Sequence, residues 1–338
     1  MEINTGFPFR GEALEELRGF LEQNGLKYDE GVEFSVILRE EDRIAAAGSL
    51  DGGVLKCIAV SREFQGSGAA ARIVTELAAE AARRGRHHLF LFTKPENETL
   101  FGNLGFFSIA KTSEVLLMEN QKSGIENFVK NIKANTPHLP GGETKTNKPL
   151  GAVVVNCNPF SRGHRYLIET AAKRCALLHV FVVAENKSAF PAETRMSMVL
   201  RGTAGLPNVF VHSTGPYMVS SVTFPVYFLK DTASPEEVNT ELDLTVFAEQ
   251  FAKPLGIKVR FAGTEPLDPV TRKYNRQMAE ILPRYGINFV EIPRLESRGA
   301  PVSASRIREL LREGNLEAVR ELVPETTMDF LLSMDAGK

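Results

Sequence analysis

Ser161 and His164 stand three residues apart in GAVVVNCNPFSRGHRYLIETAA, where an apolar strand runs into a loop and the loop into a helix. That spacing puts both side chains on one face of the first helical turn. The free N–H groups of a helix start, with the positive end of its dipole, suit a phosphate chain. Gly163 lets backbone approach a ligand closely, and Pro159 stiffens the loop. A histidine here can hydrogen-bond phosphate oxygens and stabilise charge developing on a leaving group. Taken alone, Ser161 reads equally as an N-cap and His164 as a surface residue. Two further segments add to the pattern. AENKSAFPAETR follows the next strand and brings Lys187 and Arg195; PVSASRIREL follows the last strand and brings Ser303, Ser305 and Arg308. Alone, SxS is a cap and Arg308 a solvated charge. Helix starts at the carboxyl ends of parallel strands share one rim of the sheet, so the three segments together supply hydroxyls, one imidazole and three cations for a polyanion. FAGTEP also follows a strand end and puts Gly263, Thr264, Glu265 and Pro266 at the border of that polyanion; Glu265 could orient Mg²⁺ or a sugar such as ribose, or merely cap the next helix.

A second stretch, CIAVSREFQGSGAAARIVTELAAEAARRG, has the same logic. A strand gives way to Gln65-Gly66-Ser67-Gly68 and then a long helix, whose N–H groups could cradle a pyrophosphate. Such a turn is also an ordinary tight connection. No catalytic base is visible beside it, since His87 and His88 follow a basic helix end and read as solvated.

The elements that position these residues fall into two groups. In the first third, Leu14, Leu17, Phe20 and Leu21 recur at helical spacing, and 34–38, 44–50 and 54–60 read as strands. A helix over 68–84, a strand over 88–93, a short helix over 98–104 and a last strand over 115–118 follow. Ile125, Phe128, Val129 and Ile132 could form one amphipathic helix, and NTPHLPGGETKTNKP after it reads as linker. From 150 onward strands and helices alternate: strands over 150–155, 177–184, 209–212, 258–262 and 288–292, and helices over 163–176, 192–201 and 268–282, with 303–313 as the final major helix. Repeated βα units with apolar strands imply a parallel, doubly wound sheet. The expected domains are 1–120 and 150–338, joined by a linker over 121–149.

Composition bounds the function. A chain of 338 residues is long enough for two ordinary domains. Its net charge of −2 argues against broad electrostatic binding of nucleic acid. No apolar stretch approaches the roughly 20 residues of a membrane span, and the acidic N-terminus lacks a signal-peptide core. Cys57, Cys157 and Cys175 are too scattered for a disulfide framework or a CxxC metal site. A cytoplasmic protein is expected.

NPFSRGH resembles the [HT]xGH signature of the nucleotidylyltransferase superfamily, KSAFPAETR its KxxFxxxxR segment and VSASRIR its ISSTxxR motif, in the family's order. Ser161 departs from the usual Thr or His but keeps a hydroxyl. The resemblance implies a Rossmann-like C-terminal domain that attacks the α-phosphate of ATP with Mg²⁺. His164, Lys187 and Arg308 would be catalytic. Asn158, Pro159, Phe160, Ser161, Gly163 and Arg195 would bind ATP, while Ser303 and Ser305 with Arg308 would close on the β- and γ-phosphates. QGSGAA resembles the [QR]xxGx[GA] acyl-CoA loop of the GCN5-related N-acetyltransferase family, and TLFGNLGF its YxxxGF ending. This implies an acetyltransferase-like mixed α/β domain in which Gln65, Gly66, Ser67, Gly68 and Ala70 line a CoA-type pyrophosphate. The family's Tyr, often its general acid, is Phe101 here, and Phe cannot donate a proton.

The fusion, with NCNPFSRGHRYLIE, FAGTEP and PVSASRIREL, resembles the [citrate (pro-3S)-lyase] ligase family over nearly the whole chain. That family makes acetyl-AMP from acetate and ATP, releases pyrophosphate, and acetylates the thiol of the CoA-derived prosthetic group on the citrate lyase acyl carrier subunit. The resemblance implies those partners and no nucleic acid or membrane. GPYMVSSVTFPVYFLKD could wall the acid, with Lys230 on its carboxylate, or be a core-packed strand pair. Asp243 reads as a solvated charge. RRGR (83–86) and KTNK (145–148) are candidate carrier-docking segments. Two alternatives stand beside this one: an adenylyltransferase acting on a phosphorylated cofactor precursor, and an acyl-CoA-binding sensor. The stretch 205–229 contains no Lys or Arg, which favours a small, weakly charged acceptor over a dianionic one.

Overall fold

A computed structural model describes residues 1–137, 147–185, 188–219, 235–266 and 268–335. The chain divides into two compact units, Met1–Ile125 with Val222–Thr245, and Glu126–Ser221 with Val246–Lys338.

The first unit carries β1 (Glu2–Gly6), α1 (Glu12–Gln23), β2 (Phe34–Glu40), β3 (Arg43–Asp51), β4 (Val54–Val60), α2 (Ala69–Arg83), β5 (Phe90–Thr93), α3 (Glu98–Gly102), β6 (Phe107–Lys111) and β7 (Leu116–Glu119). These strands form one sheet in the order β1-β2-β3-β4-β5-β7-β6. β4 and β5 are parallel and pair only at Val54↔Phe90 and Leu55↔Leu91. The ladder thus ends early on the side where β4 leads to Gln65. α2 lies against β2, β3 and β4 because Ile73, Val74 and Leu77 recur at helical spacing and are buried. Gly48 permits this contact, since a Cβ there would meet Ile73 Cγ2 at 2.5 Å. β1 and β6 are absent from the sequence expectation. EINTG has no apolar alternation, and FSIAK is short with three exposed positions.

The second unit contains α4 (Gly124–Ala134) from Glu126 on, then β8 (Leu150–Val155), α5 (Arg162–Ala172), β9 (Leu177–Val182), α6 (Ala192–Thr203) and β10 (Val209–Ser213). The helix α7 (Pro235–Val246), which up to Thr245 belongs to the first unit, leads in the chain to a π-helix, Phe247–Ala252, and α8 (Lys253–Leu255). β11 (Ile257–Gly263), α9 (Pro269–Ile281), β12 (Asn288–Ile292), the hairpin β13 (Glu296–Ser297) and β14 (Ala300–Pro301), α10 (Ala304–Arg312), α11 (Leu316–Leu322) and α12 (Glu325–Asp335) complete it. The sheet runs β10-β9-β8-β11-β12, parallel throughout. Apolar residues of β8, β9 and β11 (Val153, Val155, Leu178, Val180, Phe261) share one core with Ile168 of α5, Met198 of α6 and Ile307 of α10. α11 and α12 add Val319, Met328 and Leu331 to it, so α10 is not the last major helix. The opposite face is aromatic: Phe181 meets Phe251 at 5.6 Å, and Phe128 of α4 meets Tyr217 at 5.3 Å. Asp243 of α7 is wholly buried, not a solvated charge.

Candidate functional site

Ser161 is the N-cap of α5, with β-region backbone. Its Oγ accepts from the His164 N–H at 3.2 Å, and its own N–H donates to His164 Nδ1 at 3.1 Å. This reciprocal cap is a capping box with histidine in the usual Glu or Gln position. It also fixes the tautomer, because an Nδ1 that accepts leaves Nε2 as the proton carrier of the neutral ring. The half-buried ring lies 6.1 Å from the Phe160 ring in stacked orientation. Burial, with a smaller contribution from the Arg294 charge, lowers its pKa from 6.5 to about 4. Near neutral pH, His164 is therefore an uncharged hydrogen-bond donor.

α5 and α10 start side by side. A Cβ on Gly163 would stand 3.3 Å from the Val302 carbonyl oxygen, a tight contact that glycine avoids. Ser303 caps α10 by accepting from the Arg306 N–H at 3.1 Å. Arg308, one turn further, donates to the Asn158 carbonyl at 2.6 Å and to Ser305 Oγ at 3.0 Å. It thus ties α10 to the loop before α5. Asn158 Oδ1 in turn accepts from the Phe190 N–H at 3.1 Å, which fastens the KSAFPAETR segment to the same loop.

Arg195 has a different setting from the one its motif suggests. It is 0% exposed. It donates to the carbonyls of Phe190 (3.0 Å), Asn156 (3.0 Å), Val183 (2.6 Å) and Glu185 (2.6 Å), and to Asn156 Oδ1 at 2.7 Å. Burial holds its pKa below the usual arginine value. In this arrangement its donors are spent on the loops after β8 and β9. Phe160 is also fully buried, and a Cβ at Gly202 would overlap its ring at 2.2 Å. Lys187 and Lys230 lie outside the described residues.

At the end of β11, the Gly263 carbonyl accepts from Asn275 Nδ2 at 3.0 Å, and the Thr264 N–H donates to the Ile292 carbonyl at 2.9 Å. Arg294, missed in the sequence, completes this corner. Its Nε donates to the Thr264 carbonyl at 2.8 Å and its Nη2 pairs with Glu265 Oε2. Glu265 Oε1 accepts from the Asp268 N–H at 3.1 Å. Asp268, not Glu265, caps α9. The available signal was position, as Arg294 stands two residues past the end of β12. One carboxylate already engaged by an arginine does not make a metal cage. Among the described residues no group of three or more His, Cys, Asp or Glu is placed to hold a metal ion. Such a donor set fits a cation that arrives on phosphate oxygens and water.

In the first unit, Gln65, Gly66, Ser67 and Gly68 are exposed and Ala70 half-buried. Gly66 and Gly68 have φ of 79° and 86°, a region disfavoured for other residues. Gly68 is the N-cap of α2 and offers no side-chain cap, so the first N–H groups of α2 have no capping side chain. Phe101 is buried among the residues of the main apolar cluster. His88 is not solvated as expected: Nε2 lies 2.6 Å from Glu119 Oε2, and the Glu119 side chain is 3% exposed. Nor is 83–86 a free basic patch. Arg84 and Arg86 pair with Glu33, and Arg83 and Arg84 with Glu80. Of KTNK, Lys148 donates to the Lys173 carbonyl, and 145–146 fall outside the described residues.

Two family matches lie along the chain. Residues 150–331 match the Citrate lyase ligase C-terminal domain family, and residues 8–116 match the Acetyltransferase (GNAT) domain family. The [Citrate [pro-3S]-lyase] ligase of Klebsiella pneumoniae is 40% identical over 96% of this chain and 93% of its own length. That of Escherichia coli K12 is 38% identical over 94% of this chain and 90% of its own. Among solved structures, Thermotoga maritima TmcAL bound with α-thio ATP covers 56% of each chain at 20% identity and a TM-score of 0.38. No helix among the described residues is long and apolar enough to cross a membrane. On the strength of the full-length relatives, the chain is an enzyme of the ligase class and belongs to the [citrate [pro-3S]-lyase] ligase family.

Proposed function

We propose that this chain activates citrate lyase in the cytoplasm in two steps. In the first, a carboxylate oxygen of acetate forms a bond to the α-phosphorus of Mg²⁺-bound ATP. The bond from that phosphorus to the bridging oxygen breaks, and pyrophosphate leaves with the electron pair. In the second, the thiol sulfur of the carrier subunit's CoA-derived prosthetic group attacks the acetyl carbon, AMP leaves and the thiol proton is released. Mg²⁺ supplies charge neutralisation on the phosphates. The units at work are taken as 150–338 for adenylation and 1–120 for holding the CoA-like arm, joined through 121–149.

The observation that carries this reading is the convergence of α5 and α10 on an imidazole kept neutral. His164 Nε2–H donates to a phosphate oxygen, and the α5 N–H groups add a positive dipole end. Arg308 and Arg294 supply charge at the two ends of the chain of phosphates; Ser303, Ser305 and Lys187 bind beside them. Arg195 acts through the loops that it fastens. Such catalysis is positioning and electrostatic stabilisation of the leaving group. In the first unit, Gln65–Ala70 holds the pyrophosphate of the arm through backbone, with no acid or base required of Phe101.

The test is ATP–pyrophosphate exchange, run with acetate, with pantetheine phosphate, with nicotinamide mononucleotide and with no acceptor. Acetate-dependent exchange supports the reading. Exchange that ignores acetate and responds to a phosphate ester replaces it with a cofactor-forming adenylyltransferase, and binding of acetyl-CoA without turnover replaces it with a sensor.

A further inference from the structure

On the aromatic face of the parallel sheet sits a cation that no carboxylate among the described residues pairs with. Arg260 of β11 is 3% exposed. Its Nη2 lies 3.3 Å from Tyr274 Oη, and its Nη1 is buried with no hydrogen-bond partner. Among the described residues no carboxylate pairs with it. The guanidinium lies 4.4 Å from the centre of the Phe247 ring and 5.8 Å from that of Tyr274. Arginine on an aromatic face is stabilised, but rings do not satisfy an N–H as an oxygen does. A buried charge without a counter-ion is costly, and native proteins rarely retain one without a use.

The surroundings define what would fit. Arg260 is in register with Ala152 of β8, and Ala152 with His179 of β9. The three residues share a face, with the short side chain of Ala152 between the two longer ones. His179 is about 10 Å away, two strand spacings; burial lowers its pKa to about 3, so it adds no second charge. The cover is Phe247, the first residue of the six-residue π-helix. Such a shift out of α register is rare and recurs at functional sites. Next to Tyr274, Asn275 holds the Gly263 carbonyl, so the aromatic wall is tied to the strand end that borders the proposed nucleotide site. One cation, one vacant donor and aromatic walls suit a single carboxylate with a very short apolar tail.

We propose that Arg260 is the carboxylate anchor of the acid substrate, a short monocarboxylate such as acetate, bound at Nη1 against Phe247 and Tyr274. This rests on the adenylating reading above. One carboxylate oxygen accepts from Nη1, and the other keeps its lone pair for the α-phosphorus. The rings hold the methyl group, and a single guanidinium among aromatic rings offers no partner to a second carboxylate, which selects against dicarboxylates.

The measurement is the acetate KM in ATP–pyrophosphate exchange, with the ATP KM and thermal unfolding beside it, for wild type, Arg260→Met, Arg260→Lys and Tyr274→Phe. Arg260→Met removes one partner of a charge-assisted pair and should raise the acetate KM about thirtyfold or more while leaving the ATP KM within about twofold. Arg260→Lys should fall between. Without acetate, the Met variant should unfold at the wild-type temperature or above, because an apolar isostere relieves a buried charge, and added acetate should no longer raise it. An unchanged acetate KM in a folded Arg260→Met overturns the proposal. So does a lowered unfolding temperature that Arg260→Lys restores while every acetate KM stays normal, since that marks a structural arginine. Should the Met variant not fold, the acetate KM of Arg260→Lys and Tyr274→Phe decides in the same way. Wild-type exchange that is indifferent to acetate sinks the adenylating reading itself, a result distinct from failure of the anchor alone.

Discussion

Gly68 before α2 and Ser161 before α5 occupy the same place in a strand, loop and helix, and they are built from opposite materials. The first is backbone: exposed, with left-handed glycines at 66 and 68 and no capping side chain. The second is side chain: Ser161 and His164 cap each other, and Arg308 bridges to Asn158 from a neighbouring helix start. Bare N–H groups can hold an anion that does not change during the reaction. A group that must follow developing charge needs a donor of set tautomer and fixed direction. On the proposed function, the difference therefore separates a site that holds from a site that reacts.

Substitution of His164 should have the largest effect. His164→Ala removes one pre-aimed donor, and exchange should fall by about 10²–10³, with part of a cap's worth of stability lost as well, about 1 kcal/mol. Carrier acetylation from chemically supplied acetyl-AMP should survive, if the first unit only presents the thiol. Loss of both half-reactions in a folded variant would dissolve the division between holding and reacting.

The arginines come next. Arg308→Ala and Arg294→Ala each withdraw a charged donor, and the ATP KM should rise about ten- to a hundredfold. Arg195→Ala should instead lower the unfolding temperature, because five protein acceptors lose their donor together. This contrast also marks where sequence reading reaches its limit. The motifs announced that Arg195 matters, but residue type does not reveal whether a guanidinium faces solvent or carbonyls. That depends on how the loops after β8 and β9 fold back, which is a long-range property. Arg294 had no motif, and it meets Glu265 only because parallel β11 and β12 end together. The apolar strands from 150 onward and the two helix starts were legible because each follows from local pattern. β1, β6, α11 and α12 were not. EINTG lacks alternation, and the last two helices gain their definition from Val319, Met328 and Leu331 joining a core laid down elsewhere.

On the holding side, Gly68→Val forces a branched residue to φ 86°. Carrier acetylation should drop about tenfold, with about 1–3 kcal/mol of local strain, while acetate-dependent exchange stays at the wild-type rate. A fall in exchange of the same size would mean that the loop serves both reactions.

The smallest expected effect separates the units by acidity. Burial lowers the pKa of His164 to about 4, of His179 to about 3 and of His212 to about 4, all in the second unit. His179 Nδ1 and His212 Nε2 sit 3.0 Å apart, and a second proton on that pair would place two charges in contact. The unfolded chain takes up protons near pH 6.5 while the folded one declines them, so the unfolded state binds more protons between about pH 4 and 6.5. Stability from these groups is complete above about pH 6.5 and is lost as pH falls towards 4, by at most about 1.4 kcal/mol per pH unit for each group. The unfolding temperature of the second unit should thus be level from pH 7 to 8 and fall by a few degrees at pH 5.5. Replacing both His179 and His212 by Phe should shrink that fall and leave the exchange rate at pH 7.5 unchanged. The same pKa sets the kinetic expectation: His164 keeps exchange free of a titration limb between pH 5 and 8. A limb near pH 6.5 that disappears in His164→Asn would mean that the imidazole is solvated and charged in the working enzyme, and the contrast between a bare helix start and a buried, aimed one would lose its physical basis.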